Sequence, residues 1–169
     1  KRIALYPGTF DPFTIGHLSI VERGLQLFDE IIIAIGFDNA RKNQATIQQR
    51  IEHIERVTSK MQGVKVVSYD NLTVEAAKEH GANFILRGVR TVADYEYERN
   101  LAYANRNLTG IETVLLYTLP ELSYISSTLV RDLQRHGYDV SQYVPDEWKD
   151  SLKASELPEN WEQMERLVS

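Results

Sequence analysis

The 169-residue sequence predicts an α/β fold: a Rossmann-like, doubly wound parallel sheet of five strands with a short C-terminal helical tail. Three observations lead there. Five short runs rich in β-branched or aromatic residues are separated by stretches of helical periodicity. Those runs are near-continuously apolar, as strands covered on both faces require. Helix start and stop signals fall between them.

The strands are expected at residues 3–6, 30–37, 64–69, 83–87 and 112–117. Helical patterns occupy 17–28, 47–61, 74–80 and 94–108, and 129–136 follows the last strand. Thr46 and Gln49 have capping-box spacing, Thr73 is a candidate N-cap, and Gly81 and Gly137 are candidate helix ends. Repeated strand–helix units imply right-handed crossovers and helices on both faces of the sheet. After Gly137 the pattern shortens to two small helices, opened by Pro145 and Pro158. We read one domain over 1–169, with 137–169 as a helical extension.

Composition narrows the function. With 43% hydrophobic residues and 25% charged the chain is an ordinary globular domain, not a disordered one. A membrane helix needs about eighteen apolar residues in a row, and the longest strongly apolar run is 31–35. No basic and apolar leader precedes the first strand-like run, so the expected location is the cytoplasm. The absence of cysteine excludes disulfides, thiolate nucleophiles and Cys-ligated metals. The net charge of -5 resides in residues 139–169, which hold eight acids against three bases, and the rest is neutral. That is the wrong footprint for a general nucleic-acid binder, so an anionic ligand has to be held locally.

In open parallel sheets ligands bind beyond the carboxyl ends of the strands. Four segments there carry suitable chemistry. The first, YPGTFDPFTIGH, has neither dinucleotide nor P-loop spacing, yet offers two glycines, the hydroxyls of Thr9 and Thr14, and His17 at a helix start. The second holds the adjacent bases Arg41 and Lys42, and the third, RGVR, holds Arg87 and Arg90 around Gly88. The fourth, YISST, brings Ser126, Ser127 and Thr128 to a helix N-terminus. Taken singly each has a plainer reading: an N-cap cluster for ISST, ion pairs with Glu96 or Glu98 for the two arginines, a solvated loop for Arg41 and Lys42. His53, His80 and His136 read as structural. Asp94, Glu96 and Glu98 fall on different faces of one helix, mostly solvated, which argues against paired-carboxylate catalysis. It is the convergence of four segments on one sheet edge that favours a phosphate site.

Together, YPGTFDPFTIGH, RGVRTVADYEYE and ISSTLVRDL resemble the bacterial phosphopantetheine adenylyltransferase family of TxGH nucleotidyltransferases, over nearly the full length. The resemblance implies transfer of AMP from ATP to 4'-phosphopantetheine, giving 3'-dephospho-CoA and pyrophosphate, with Mg2+ accompanying ATP. By the same resemblance His17 meets the α-phosphate, Thr9 orients the incoming phosphate, Arg87 holds it and Thr73 meets the pantetheine arm. Arg90, Ser126, Ser127 and Thr128 would cradle the outer phosphates. Phe10, Gly88, Val89, Glu98, Leu122, Ser123, Tyr124 and Ile125 would line the ATP site. The second loop departs from the family's usual two lysines and proline, reading Arg41, Lys42, Asn43, so either base is left to fill the catalytic lysine's role. A homohexamer and coenzyme A as a feedback ligand are implied too, and neither nucleic acid nor membrane is an expected partner.

The residues fit that chemistry. A phosphate monoester with a second pKa near ~6 arrives largely dianionic, so no general base is needed. The requirements are alignment of two repelling anions and donors for the charge that develops. The alternatives are an adenylyl- or cytidylyltransferase acting on another phosphorylated small molecule, and a nucleotide-binding regulator without turnover.

Overall fold

The computed structural model describes residues 1–37, 43 and 45–151. Arg41, Lys42 and the helix expected after Pro158 lie outside the described residues. The sheet holds β1 (Ile3–Gly8), β2 (Glu30–Gly36), β3 (Val64–Tyr69), β4 (Phe84–Val89) and β5 (Glu112–Tyr117), all parallel, in the order β3-β2-β1-β4-β5. The helices are α1 (Ile15–Gly24), α2 (Ile47–Thr58), α3 (Thr73–Glu79), α4 (Val92–Thr109), α5 (Ser127–Arg135) and α6 (Asp146–Ser151).

The period of two along β2 divides the core. Ile31, Ile33 and Ile35 are fully buried with Ile20 and Val21 of α1 and Ile54 and Val57 of α2. Ile32 and Ala34 turn to the opposite face, against Val74, Ala76 and Ala77 of α3. Both faces of the strand are thus apolar, which is why its sequence does not alternate. Fully burying an isoleucine contributes about 1.5–3 kcal/mol, so β2 anchors the sheet.

The boundaries differ from the sequence reading where packing or capping intervenes. Thr46 and Gln49 form their capping box, each side chain accepting from the other residue's backbone N–H. Gly81 and Gly137 take positive φ, +73° and +81°, just beyond α3 and α5. Thr73, expected as an N-cap, is the first helical residue instead, and Leu72 takes the cap position. α1 stops at Gly24 rather than running to 28, because the chain closes into tight turns: Gln26 N–H donates to Arg23 and Leu27 N–H to Gly24. α6 packs on α2 with Trp148 edge-on to the His53 ring at 6.1 Å, joining a small cluster with Val130, Val140 and Val144. No helix among the described residues is long and apolar enough to cross a membrane.

One feature of the register opens the functional edge. β1 pairs with β2 over six residues but with β4 only at Ala4–Phe84 and Leu5–Ile85. β1 and β4 flank the point where strand order reverses, and beyond Leu5 they part. Ligands of open α/β sheets bind at this switch point.

Candidate active site

A cleft of about 390 Å³ lies between the carboxyl ends of β1 and β4. Its floor is the β1–α1 loop, Pro7 to Asp11 with Thr14, Gly16 and His17; one wall is Arg87, Gly88 and Arg90; the other is Ile125 to Thr128 at the start of α5. The first, third and fourth motifs therefore meet, as the sequence suggested. Of the second, Asn43 lines the cleft.

His17 sits in the first turn of α1. Its Nδ1 accepts from the Thr14 N–H at 2.9 Å while its own N–H donates to Thr14 Oγ1 at 3.3 Å, a capping box with histidine in the usual place of Glu or Gln. Occupation of the Nδ1 lone pair assigns the proton of the neutral ring to Nε2. Burial, together with the positive charges of Arg87 and Arg90, pushes the imidazole pKa down to about 3. The ring stands edge-on to Phe10 at 5.0 Å and tilted against Phe13 at 5.5 Å. His17 is therefore a rigid, uncharged N–H donor at neutral pH.

Arg87 is not a free cation. Its Nη2 and Nε both reach Glu98 Oε1, at 2.7 and 2.9 Å, and its Nη1 donates to the Pro7 carbonyl at 2.6 Å. Burial works against its charge, and the hydrogen bond and charge of Glu98 outweigh it, raising the guanidinium pKa. The ion pair foreseen as a surface network is thus realised as a largely buried one, and Glu98, at 5% exposure, is no solvated residue. Glu96 is exposed, whereas Asp94 shares the inner face with Glu98 four residues on and accepts from the Arg90 N–H at 3.1 Å. Arg90 itself is exposed, its Nε 3.6 Å from Asp94.

Ser126 is the N-cap of α5, and its side chain accepts from Leu129 N–H. Ser127 Oγ donates to the Pro12 carbonyl at 2.8 Å, and Thr128 Oγ1 accepts from Arg131. Ile125 is buried against the cleft, while Leu122, Ser123 and Tyr124 precede its wall. Tyr124 is exposed and meets the Tyr143 ring perpendicularly at 6.1 Å. Val89 is buried beneath the wall. Thr73 stands apart, beyond β3, its hydroxyl 3.1 Å from that of Tyr69.

Sequence reasoning missed the frame of the loop. Alternate carbonyls, at Pro7, Thr9 and Asp11, each accept from an arginine: Arg87 at 2.6 Å, Arg50 at 2.7 Å and Arg131 at 2.6 Å. Arg131 also lines the cleft. Its position one turn after Ser127 was the available signal, since helical spacing returns it to the same edge. Gly8 has its own constraint: a Cβ there would stand 2.8 Å from the Phe10 ring.

An open parallel sheet with this cleft at its switch point, a helix-start histidine, Arg87 on the facing strand and Arg90 just beyond it define a nucleotidyltransferase. The family model described as cytidylyltransferase-like matches residues 5–133. Phosphopantetheine adenylyltransferase of Bacteroides thetaiotaomicron is 50% identical over 145 residues, 86% of this chain and 96% of the relative. The protein of that name from Phocaeicola vulgatus is 49% identical over 148 residues, 88% and 98% of the two chains. That of Flavobacterium johnsoniae is 46% identical over 145 residues, 86% and 95%. The chain belongs to the phosphopantetheine adenylyltransferase family.

Proposed function

We propose that the protein transfers AMP from ATP to 4'-phosphopantetheine by in-line displacement without a general base. A phosphate oxygen of the acceptor attacks the α-phosphorus of ATP. The bond from that phosphorus to the bridging oxygen breaks, and pyrophosphate leaves with the electron pair, leaving 3'-dephospho-CoA. The observation that carries this mechanism is the His17 ring: neutral, with Nδ1 committed to Thr14 N–H, it is poorly placed to accept a proton and well placed to donate from Nε2. A preorganised donor of this kind contributes most where charge develops, on the α-phosphate in the transition state.

In this reading Thr9 orients the attacking phosphate and Arg87, fixed by Glu98 and Pro7, holds it with its remaining donors. Arg90, Ser126, Ser127 and Thr128 receive the outer phosphates at the N-terminus of α5, whose dipole favours anions. Phe10, Gly88, Val89, Glu98 and the 122–125 segment form the nucleotide surround, Thr73 meets the pantetheine arm, and Arg41 or Lys42 supplies a further cation. Glu98 and Asp94 are engaged by Arg87 and Arg90, so Mg2+ accompanying ATP would take phosphate oxygens and water as its hard ligands. Bound there, it would offset charge on the triphosphate.

Exposed Val92, Tyr97, Tyr103 and Leu108 on α4 support assembly with further copies, a hexamer by family resemblance. Coenzyme A shares the product's two ends and would compete for the same cleft. Both reactants are ordinary solutes of the cytoplasm, the proposed location. Pyrophosphate release measured against a panel of phosphorylated acceptors tests the activity: selective turnover with 4'-phosphopantetheine is expected, and equal or better turnover with another acceptor would overturn it.

A further inference from the structure

Arg50 of α2 lies behind the β1–α1 loop and is only 3% exposed. A buried charge needs compensation. Its Nη1 donates to the Thr9 carbonyl at 2.7 Å, its Nε to the Thr46 carbonyl at 3.4 Å, and the buried Asp11 carboxylate adds opposite charge. Thr9, Phe10 and Asp11 line the large cleft, and Arg50 does not. It faces instead a void of about 40 Å³ on the other side of the loop, with Pro12, His53 and Trp148. A ligand in the cleft is therefore reached only through the loop.

What Arg50 fixes is one peptide plane. The C=O and N–H of a trans peptide point in opposite directions, and the cis bond in this loop is Asp11–Pro12, one residue further on. Drawing the Thr9 carbonyl back to Arg50 turns the Phe10 N–H forward, to the side of the cleft. None of the described residues accepts that N–H. Phe10 also has φ of +51°, a left-handed conformation that a bulky side chain adopts only when its surroundings hold it there. The Thr9 and Asp11 carbonyls on either side of Phe10 are both gripped by guanidiniums, Arg50 and Arg131.

We propose that Arg50 is a positioning residue for nucleotidyl transfer: its hold on the Thr9 carbonyl fixes the Phe10 N–H and the Thr9 side chain in the attitude the reaction needs. The inference rests on the reading of the cleft as the transfer site. Fixed donors matter more to the transition state than to the ground state, so Arg50 acts on kcat more than on binding.

Arg50→Ala and Arg50→Lys, each in the full chain, test this through pyrophosphate release, ATP binding by calorimetry and thermal melting. Arg50→Ala is expected to lose about 10²-fold in kcat, the usual cost of misplacing reacting groups, while the KM for either substrate and the Kd for ATP change by less than about three-fold. Arg50→Lys should fall between Ala and wild type. Guanidinium chloride at tens of millimolar should restore part of the Arg50→Ala rate by entering the enlarged void, without speeding the wild type. Unchanged kcat in either folded variant overturns the proposal, as does a KM that rises while kcat holds, or a lost rate that guanidinium leaves untouched. If Arg50→Ala does not fold, Arg50→Lys decides: reduced kcat with unaltered KM supports the role. A wild type inactive on both substrates would sink the cleft reading, whereas an active wild type beside an unimpaired Arg50→Ala sinks this inference alone.

Discussion

The state of the His17 ring is the prediction on which the chemistry turns. With a pKa near 3, about one ring in 10⁴ is protonated at pH 7 in the free enzyme. Catalysis then draws on a neutral Nε2–H, whose removal costs about 10² to 10³ in kcat, as for other single oxyanion donors. His17→Ala should show that loss with ATP affinity nearly intact. It also orphans the Thr14 N–H and half of the α1 capping box, at a cost of about 1 kcal/mol in stability. The direct assay is 15N-edited NMR of histidine-labelled protein, with His17 assigned by its disappearance in the variant. The ring should remain neutral and protonated at Nε2 down to pH 5. A depressed folded pKa lets the unfolded chain take up a proton that the folded one refuses. This group therefore costs no stability above pH 6.5, and its cost grows as pH falls from there toward 3. Titration of His17 near 6.5, or an Nδ1-protonated tautomer, would rule out a neutral Nε2–H donor.

Other outcomes follow from the same contacts. Arg87→Ala strands the Glu98 carboxylate and should cost about 2–3 kcal/mol, below a fully buried pair because the Arg87 side chain keeps 30% exposure; a melting temperature lowered by roughly 5–10 °C checks it. Adding Glu98→Gln should recover stability without recovering affinity for phosphopantetheine. Gly8→Ala pushes a Cβ to 2.8 Å from the Phe10 ring, which packs on His17, so kcat should fall about ten-fold or more in steady-state kinetics. Arg41→Ala should damage kcat more than Lys42→Ala, and the reverse order would give the catalytic position to Lys42.

The sheet, its five strands and most helices were legible because apolar period and caps are local properties. β2 reads as buried on both faces from EIIIAIG alone, and Thr46–Gln49 announces α2. The same locality explains the misses. Gly24 is a local hint that α1 ends there, but the turns that follow depend on how the chain reaches β2. Reading Asp94, Glu96 and Glu98 as lying on different faces held for Glu96 but not for Asp94 and Glu98, which are four apart and share one face, and no local pattern shows that this face meets Arg87 on β4.

At the site, residue order alone was enough to place the groups at the carboxyl edge: a histidine at a helix start, Arg87 near the end of β4 with Arg90 just past it, and a hydroxyl cluster opening α5. Chain connectivity puts them there once strands and helices alternate. What those groups do depends on contacts made across the folded chain. The fold parts β1 from β4 after Leu5, commits Arg87 to Glu98, locks the His17 tautomer through Thr14, and brings Arg50 and Arg131 from distant helices onto the loop carbonyls. Hydrogen bonds between residues 41 and 120 positions apart leave no local pattern in the chain. Their partners are selected by desolvation and distance, which exist only after the sheet has closed around them.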